Sequence, residues 1–266
     1  MKKSHALLLL CIAIIAACNT PKKTDKHTKS DKNINFNICY KQKVNGYAVS
    51  ATIITDSLYE EFHSDITQRE AVLSFKKDNQ EFTIFNPLYA DKNLIGKLAA
   101  LKNGETIQID YIPFHVSDDN RFSGNQSPFF FFDVDFDGDE ELIVCLWEGM
   151  AHHGHHSYQA FKINTGGINH RLSPMTGNPF DELDDYSEFD AVNKTICIPT
   201  DVDIKIGGRK TYCLSETSFE LKEVIKYDWE HTKGIKHTPC DPTIYYYKVI
   251  DGEEILDRIE KCPSDR

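Results

Sequence analysis

The sequence predicts a mainly β protein: an antiparallel meander forming a barrel, a sandwich or a partial propeller, with one short helix near residues 92–101. Three observations carry this. Apolar and polar residues alternate with period two along most of the chain beyond residue 33. Gly, Asn and Asp recur between the alternating runs, where tight turns are needed. No fixed-period repeat of the kind that marks a full propeller is visible.

The elements follow in order. Ile34-Asn35-Phe36-Asn37-Ile38-Cys39-Tyr40 alternates cleanly, as do 47–54, 71–75, 82–85 and 106–112. Successive side chains on a strand point to opposite faces, so each run offers one apolar face to a core and one polar face to water. Residues 92–101 break the pattern. Leu94, Ile95, Leu98, Ala99 and Leu101 recur at helical spacing, and Gly104 follows as a stop. Beyond Pro113 the chain is loop-like through Gln126, which separates an N-terminal β-rich part, 34–117, from a second part, 127–266. The second part is expected to hold strands at 129–134, 142–147, 158–163, 195–198, 210–214, 219–229 and 243–250. Tyr245-Tyr246-Tyr247 reads as core and sheet face.

Lys2 and Lys3 precede an apolar run, Ala6 to Ala17. The run is shorter than the roughly 20 residues a bilayer span needs. Basic charge, a short apolar stretch and small residues in that order predict a signal peptide over 1–17. Ile15-Ala16-Ala17-Cys18 resembles a bacterial lipobox, which implies acylation of Cys18 and anchoring to a lipid membrane. Asn19, in place of an aspartate, points to the outer membrane and leaves its face open. Residues 19–33 are almost devoid of apolar side chains and predict a flexible basic tether following the lipidated cysteine.

The chain has 266 residues and a formal net charge of -11. Cutting it changes the balance: 19–33 holds five lysines and two aspartates, and the body from Ile34 holds 23 basic and 39 acidic residues. A body this acidic repels phosphate backbones, so nucleic acid is excluded as a partner class. Cations and basic proteins are favoured.

Eight cysteines are present. With Cys11 in the signal and Cys18 lipidated, six remain, and six cysteines allow 15 pairings. Export makes disulfides possible. Cys197 and Cys213 flank a turn-rich segment containing Gly207-Gly208 and suggest a hairpin staple; Cys240 and Cys262 enclose the last strands.

The sharpest motif is Phe132-Asp133-Val134-Asp135-Phe136-Asp137-Gly138-Asp139-Glu140-Glu141-Leu142. Asp133, Asp135 and Asp137 stand at positions one, three and five of a cation loop, and Gly138 stands at six, where such a loop turns sharply. Asp139 would offer its carbonyl, and Glu141 a carboxylate directly or through water. A hard cation such as Ca²⁺ takes six to eight oxygens, so these five residues are the predicted metal ligands. Position twelve is Val144 and the flanks read as strands, so this is not an EF-hand. The plainer reading is an acidic hairpin whose turn is Asp137-Gly138.

The segment from Asp133 to Leu142 resembles the Asp-x-Asn-x-Asp-Gly-x-x-Asp-Leu loop of small envelope proteins. These include periplasmic, calcium-dependent, lysozyme-inhibiting immunity lipoproteins, which act against type IV-secreted peptidoglycan hydrolases. The resemblance continues through Tyr158-Gln159-Ala160-Phe161, Asn178-Pro179-Phe180-Asp181 and Lys194-Thr195-Ile196, and covers about 127–229. Asp135 replaces the usual asparagine and Glu141 the usual aspartate, and both keep an oxygen ligand. The resemblance implies a bound calcium ion and a peptidoglycan hydrolase as the partner to be inhibited. It transfers no inhibitory residue to this chain.

Met150-Ala151-His152-His153-Gly154-His155-His156 follows the strand after the loop. Imidazoles at His152, His153, His155 and His156 can bind Zn²⁺ or another transition metal, or form a polar loop that changes charge between about pH 5 and 7. Catalytic signatures for nucleophilic serine, phosphate cradling, dinucleotide binding and zincin chemistry are absent. Asp184, Asp185 and Glu188 form an acidic run that could mimic a glycosidase carboxylate pair, with a solvated face as the plainer reading. The sequence therefore predicts a non-catalytic, calcium-stabilised binding module facing a basic partner such as a peptidoglycan hydrolase. The alternatives are a metal-assisted hydrolase using the histidine run and a glycan-binding surface lipoprotein.

Overall fold

Period-two alternation builds three sheets in the computed structural model, which describes residues 34–55, 69–78, 80–89, 91–94, 104–115, 117, 120–122, 127–148, 156–164, 171–203, 206–228 and 242–261. The first sheet contains β1 (Ile34–Tyr40), β2 (Ala48–Thr55), β3 (Arg69–Lys77), β4 (Gln80–Tyr89) and β5 (Thr106–Ile109), in the order β4-β3-β2-β1-β5. Its apolar face is the one the alternation marks: Phe36, Ile38 and Tyr40, then Val49, Ala51 and Ile53, then Ala71, Leu73 and Phe75, all buried. The meander is not wholly antiparallel. β5 joins β1 in parallel, with Ile38 opposite Ile107 and Tyr40 opposite Ile109.

The second sheet is β6 (Phe129–Phe132), β7 (Glu141–Glu148), β8 (His156–Asn164) and β9 (Arg171–Pro174), in that order. The third is β10 (Glu188–Asp190), β11 (Thr195–Asp203), β12 (Ile206–Ser215), β13 (Ser218–Asp228), β14 (Thr243–Ile250) and β15 (Glu253–Glu260), also in chain order. Each of the three strand orders is open, so the barrel alternative is not the fold that forms.

The second sheet lies between two cores. Phe129, Leu142 and Val144 join the apolar face of the first sheet. Phe130, Ile143, Cys145, Tyr158 and Ala160 join Phe189, Ile196, Ile198 and Tyr212 of the third. This explains why Phe129 to Phe132 and Leu142 to Cys145 are continuous apolar runs: a strand covered on both faces has no polar side to present. Each fully buried phenylalanine contributes on the order of 1.5–3 kcal/mol. The segments divided at the 113–126 loop thus share one core, and Asn33–Arg266 forms one compact unit.

Three expectations are corrected. β9, β10 and β15 are strands that the sequence pattern did not mark. The part of the expected 92–101 helix that is described is a 3-10 turn, Lys92–Leu94; residues 95–101 lie outside the described residues. Asp91 shapes that turn, accepting the Asn93 N–H at 2.8 Å and the Tyr40 hydroxyl at 2.8 Å. Finally, Cys197 and Cys213 are free thiols. Cys197 faces Thr211 and Cys213 faces Thr195 across the β11–β12 ladder, so the cysteines are diagonal neighbours. Diagonal Cβ atoms sit about 7–8 Å apart, beyond the roughly 3.5–4.5 Å that a disulfide requires. Cys18, Cys240, Cys262 and the signal and tether segments lie outside the described residues.

Candidate metal centre

The acidic loop connects β6 to β7, whose register closes with Phe132 opposite Glu141. Both strands are pinned in the double core, so the loop between them leaves a rigid frame. Its turn depends on two left-handed residues, Phe136 at φ 61° and Gly138 at φ 95°. The second conformation favours glycine, because a Cβ there strains the backbone. Phe136 tolerates its φ while its ring packs 6.1 Å from Phe219, which in turn meets Phe180 edge-on at 5.5 Å.

Backbone amides organise the carboxylates. Asp133 accepts the Asp137 N–H at 3.2 Å and the Gly138 N–H at 3.1 Å. Asp135 Oδ1 accepts the Asp137 N–H at 3.3 Å, and Asp137 Oδ1 accepts the Asp139 N–H at 2.9 Å. From the strand side, Glu141 Oε2 accepts the Val134 N–H at 3.1 Å. The result gathers Asp133, Asp135 and Glu141, with one oxygen from each within 4.8 Å of the others. Asp137 stands outside that trio and turns its Oδ2 to Lys162, and Asp139 is exposed. Three of the five residues expected as ligands are therefore brought together by their side chains.

The electrostatics match a site built for positive charge. Glu141 is only 2% exposed. Burial pushes its carboxyl up to about 8, and the neighbouring Asp135 and Asp137 carboxylates push the same way. Asp133 is also raised, first by burial and then by Asp137 and Asp135. Asp137 is instead lowered, because the Lys162 ammonium beside it stabilises the charged form. Calcium fits this donor set: the gathered atoms are all hard oxygens, and a cation close by favours the ionised form of the buried Glu141. Asp133, Asp135 and Glu141 would hold such an ion, which would supply the charge that offsets their mutual repulsion. Val144, at position twelve, is buried in the core and opposes Phe129, so no acid completes an EF-hand.

Lys162, on β8, was not marked by the sequence pattern. Its Nζ lies 2.7 Å from Asp135 Oδ2 and 2.7 Å from Asp137 Oδ2. It reaches the loop because Phe161 opposes Leu142 across the β7–β8 ladder. A lysine on a strand 25 residues beyond Asp137 carries no motif; only the register reveals it.

Among the described residues, the other candidate groups have local partners within the fold. Of the histidine run, His156 opens β8, whereas His152, His153 and His155 lie outside the described residues. Asp185 is 8% exposed rather than solvated. It accepts the His156 N–H at 2.8 Å, faces His156 Nδ1 at 2.9 Å and accepts the Tyr158 hydroxyl at 2.5 Å. Burial opposes ionisation of Asp185, but the hydrogen bonds from His156 and Tyr158 outweigh it and hold its carboxyl low. Asp184 caps the turn to Tyr186 and Ser187. Glu188 is clasped by Arg121 and Arg209. A glycosidase pair needs two carboxyls facing a cleft; these three carboxyls are taken up by local partners.

No family model and no curated protein matches the chain. Among solved structures, a Xanthomonas type IV secretion system related protein superposes with a TM-score of 0.50, at 13% identity, covering 90% of this chain and 100% of that one. At that identity the likeness speaks to the fold. Among the described residues, no helix is long and apolar enough to cross a membrane.

Proposed function

We propose that this chain is a calcium-stabilised binding module of the bacterial cell envelope, anchored through acylated Cys18 and directed at a basic partner protein. The observation that carries the ion is the convergence of Asp133, Asp135 and the buried Glu141 within 4.8 Å. Support for an envelope setting comes from the lipobox-like Ile15-Ala16-Ala17-Cys18 and from a structural neighbour described as type IV secretion system related. An acidic domain docking on a cationic enzyme gains encounter rate and orientation from charge complementarity. A peptidoglycan hydrolase is the partner class that combines a basic surface with this compartment. The calcium ion serves structure in this reading: it fixes the β6–β7 loop and, through Phe136 and Phe219, the β12–β13 hairpin.

The test is an inhibition assay against purified muramidases with calcium present, repeated across ionic strength. The reading predicts inhibition of at least one enzyme that weakens as salt rises. Full activity of every muramidase in the protein's presence, with no complex on a sizing column, would sink the inhibitory role.

A further inference from the structure

Lys162, on β8, lies against the loop. Asp135 and Asp137 each give one oxygen to a backbone amide: Asp137 N–H takes Asp135 Oδ1, and Asp139 N–H takes Asp137 Oδ1. Their second oxygens are Asp135 Oδ2 and Asp137 Oδ2. The Lys162 ammonium holds both, at 2.7 Å each. Asp137, the one side-chain position of the one-three-five pattern outside the gathered trio, shares that ammonium with Asp135.

We propose that Lys162 is a tethered competitor for the divalent cation, setting how much calcium the loop needs. The inference rests on the calcium reading of this loop. An ammonium and a Ca²⁺ ion are both cations and repel each other, so they do not share the same two carboxylate oxygens at bonding distance. Calcium entry therefore swings Lys162 off the loop, and the four-carbon stem makes that swing feasible: its side chain is already 41% exposed. Without calcium the ammonium offsets part of the acid–acid repulsion and keeps the loop closed. With calcium, the ion takes over that role, and the released Asp137 completes the ligand set with Asp133, Asp135 and Glu141. The consequence is a loop that stays folded in either condition but loads only where calcium is abundant, as in an envelope compartment.

Calorimetric titration of the full-length mature protein with CaCl₂ tests this. Lys162→Gln is expected to bind calcium about tenfold more tightly than wild type, because an exposed pair of ion contacts is removed from the competition. Lys248→Gln removes the same charge from a remote strand and is expected to stay within about twofold of wild type. In wild type, the Lys162 Nζ resonance, followed by ¹⁵N NMR, is expected to shift on calcium saturation. Equal or weaker binding by Lys162→Gln, or a Lys162 resonance that ignores calcium, overturns the proposal while leaving the calcium site standing. Absence of calcium binding by both wild type and Lys162→Gln overturns the site itself and the competitor with it.

Discussion

The loop at 133–141 and the run at 184–188 are both dense in acids, yet the protein treats them in opposite ways. In the second, two of the three carboxylates have neighbours that stabilise their charge: His156 and Tyr158 for Asp185, Arg121 and Arg209 for Glu188. Those two carboxyls are held below their ordinary values, whereas Asp184, which accepts the Tyr186 N–H and the Ser187 hydroxyl, is raised by burial. In the first, Asp133 and Glu141 are raised, and the cation the group finds in its own chain, Lys162, contacts Asp135 and Asp137. Acid density alone therefore says little about a metal. On the calcium reading, the two runs differ in how much positive charge the fold itself brings to them.

Substitutions should divide along that line. The largest effect is expected for Asp185→Ala, which strips the Tyr158 hydroxyl and the His156 N–H of a buried acceptor and should cost about 3 kcal/mol in urea unfolding, with or without calcium. A loss that vanished on adding chelator would break the division. Next is Glu141→Gln. It removes a buried carboxyl that resists ionisation, so it is expected to raise stability in chelator by about 1 kcal/mol while abolishing the calcium response. Glu188→Gln is expected to cost about 1 kcal/mol, since its two arginines remain half exposed and solvent screens the pairing.

The pH dependence carries the same contrast. Glu141 is raised in the folded state, so below about pH 4.5 it is protonated both folded and unfolded and contributes nothing. Between 4.5 and about 8 the unfolded chain ionises while the folded one resists, and calcium-free stability falls as pH rises. Asp185 has the opposite sign: its carboxyl is lowered, and its contribution is present at neutral pH and lost on acidification through the carboxylate range. Thermal melts in chelator from pH 4 to 8 should show the Glu141 decline in wild type and its absence in Glu141→Gln.

Much of this was legible in the chain. Phe36, Ile38 and Tyr40 announce their buried face by alternation, and Asp133, Asp135 and Gly138 announce a turn that collects oxygens. What stayed hidden depends on register. The parallel pairing of β1 with β5 joins residues about 70 apart, and local alternation is the same for parallel and antiparallel neighbours. Lys162 meets Asp135 only because Phe161 opposes Leu142. Cys197 and Cys213 look like a staple until the ladder offsets them by two residues. Asp185 reads as surface acid because its stabilising partners, His156 and Tyr158, lie nearly 30 residues upstream.

The central claim is that the 133–141 loop is a calcium site. Its most direct measurement is thermal unfolding of wild type in 10 mM CaCl₂ and in chelator, beside Asp133→Ala with Asp137→Ala. At about 10–100 times a millimolar-range Kd the ion adds roughly 1.4–2.7 kcal/mol, which for a chain of this size raises the midpoint by about 4–8 °C. The account predicts that shift in wild type and none in the double variant. An identical wild-type midpoint in calcium and in chelator would contradict it and reduce the loop to an acidic turn.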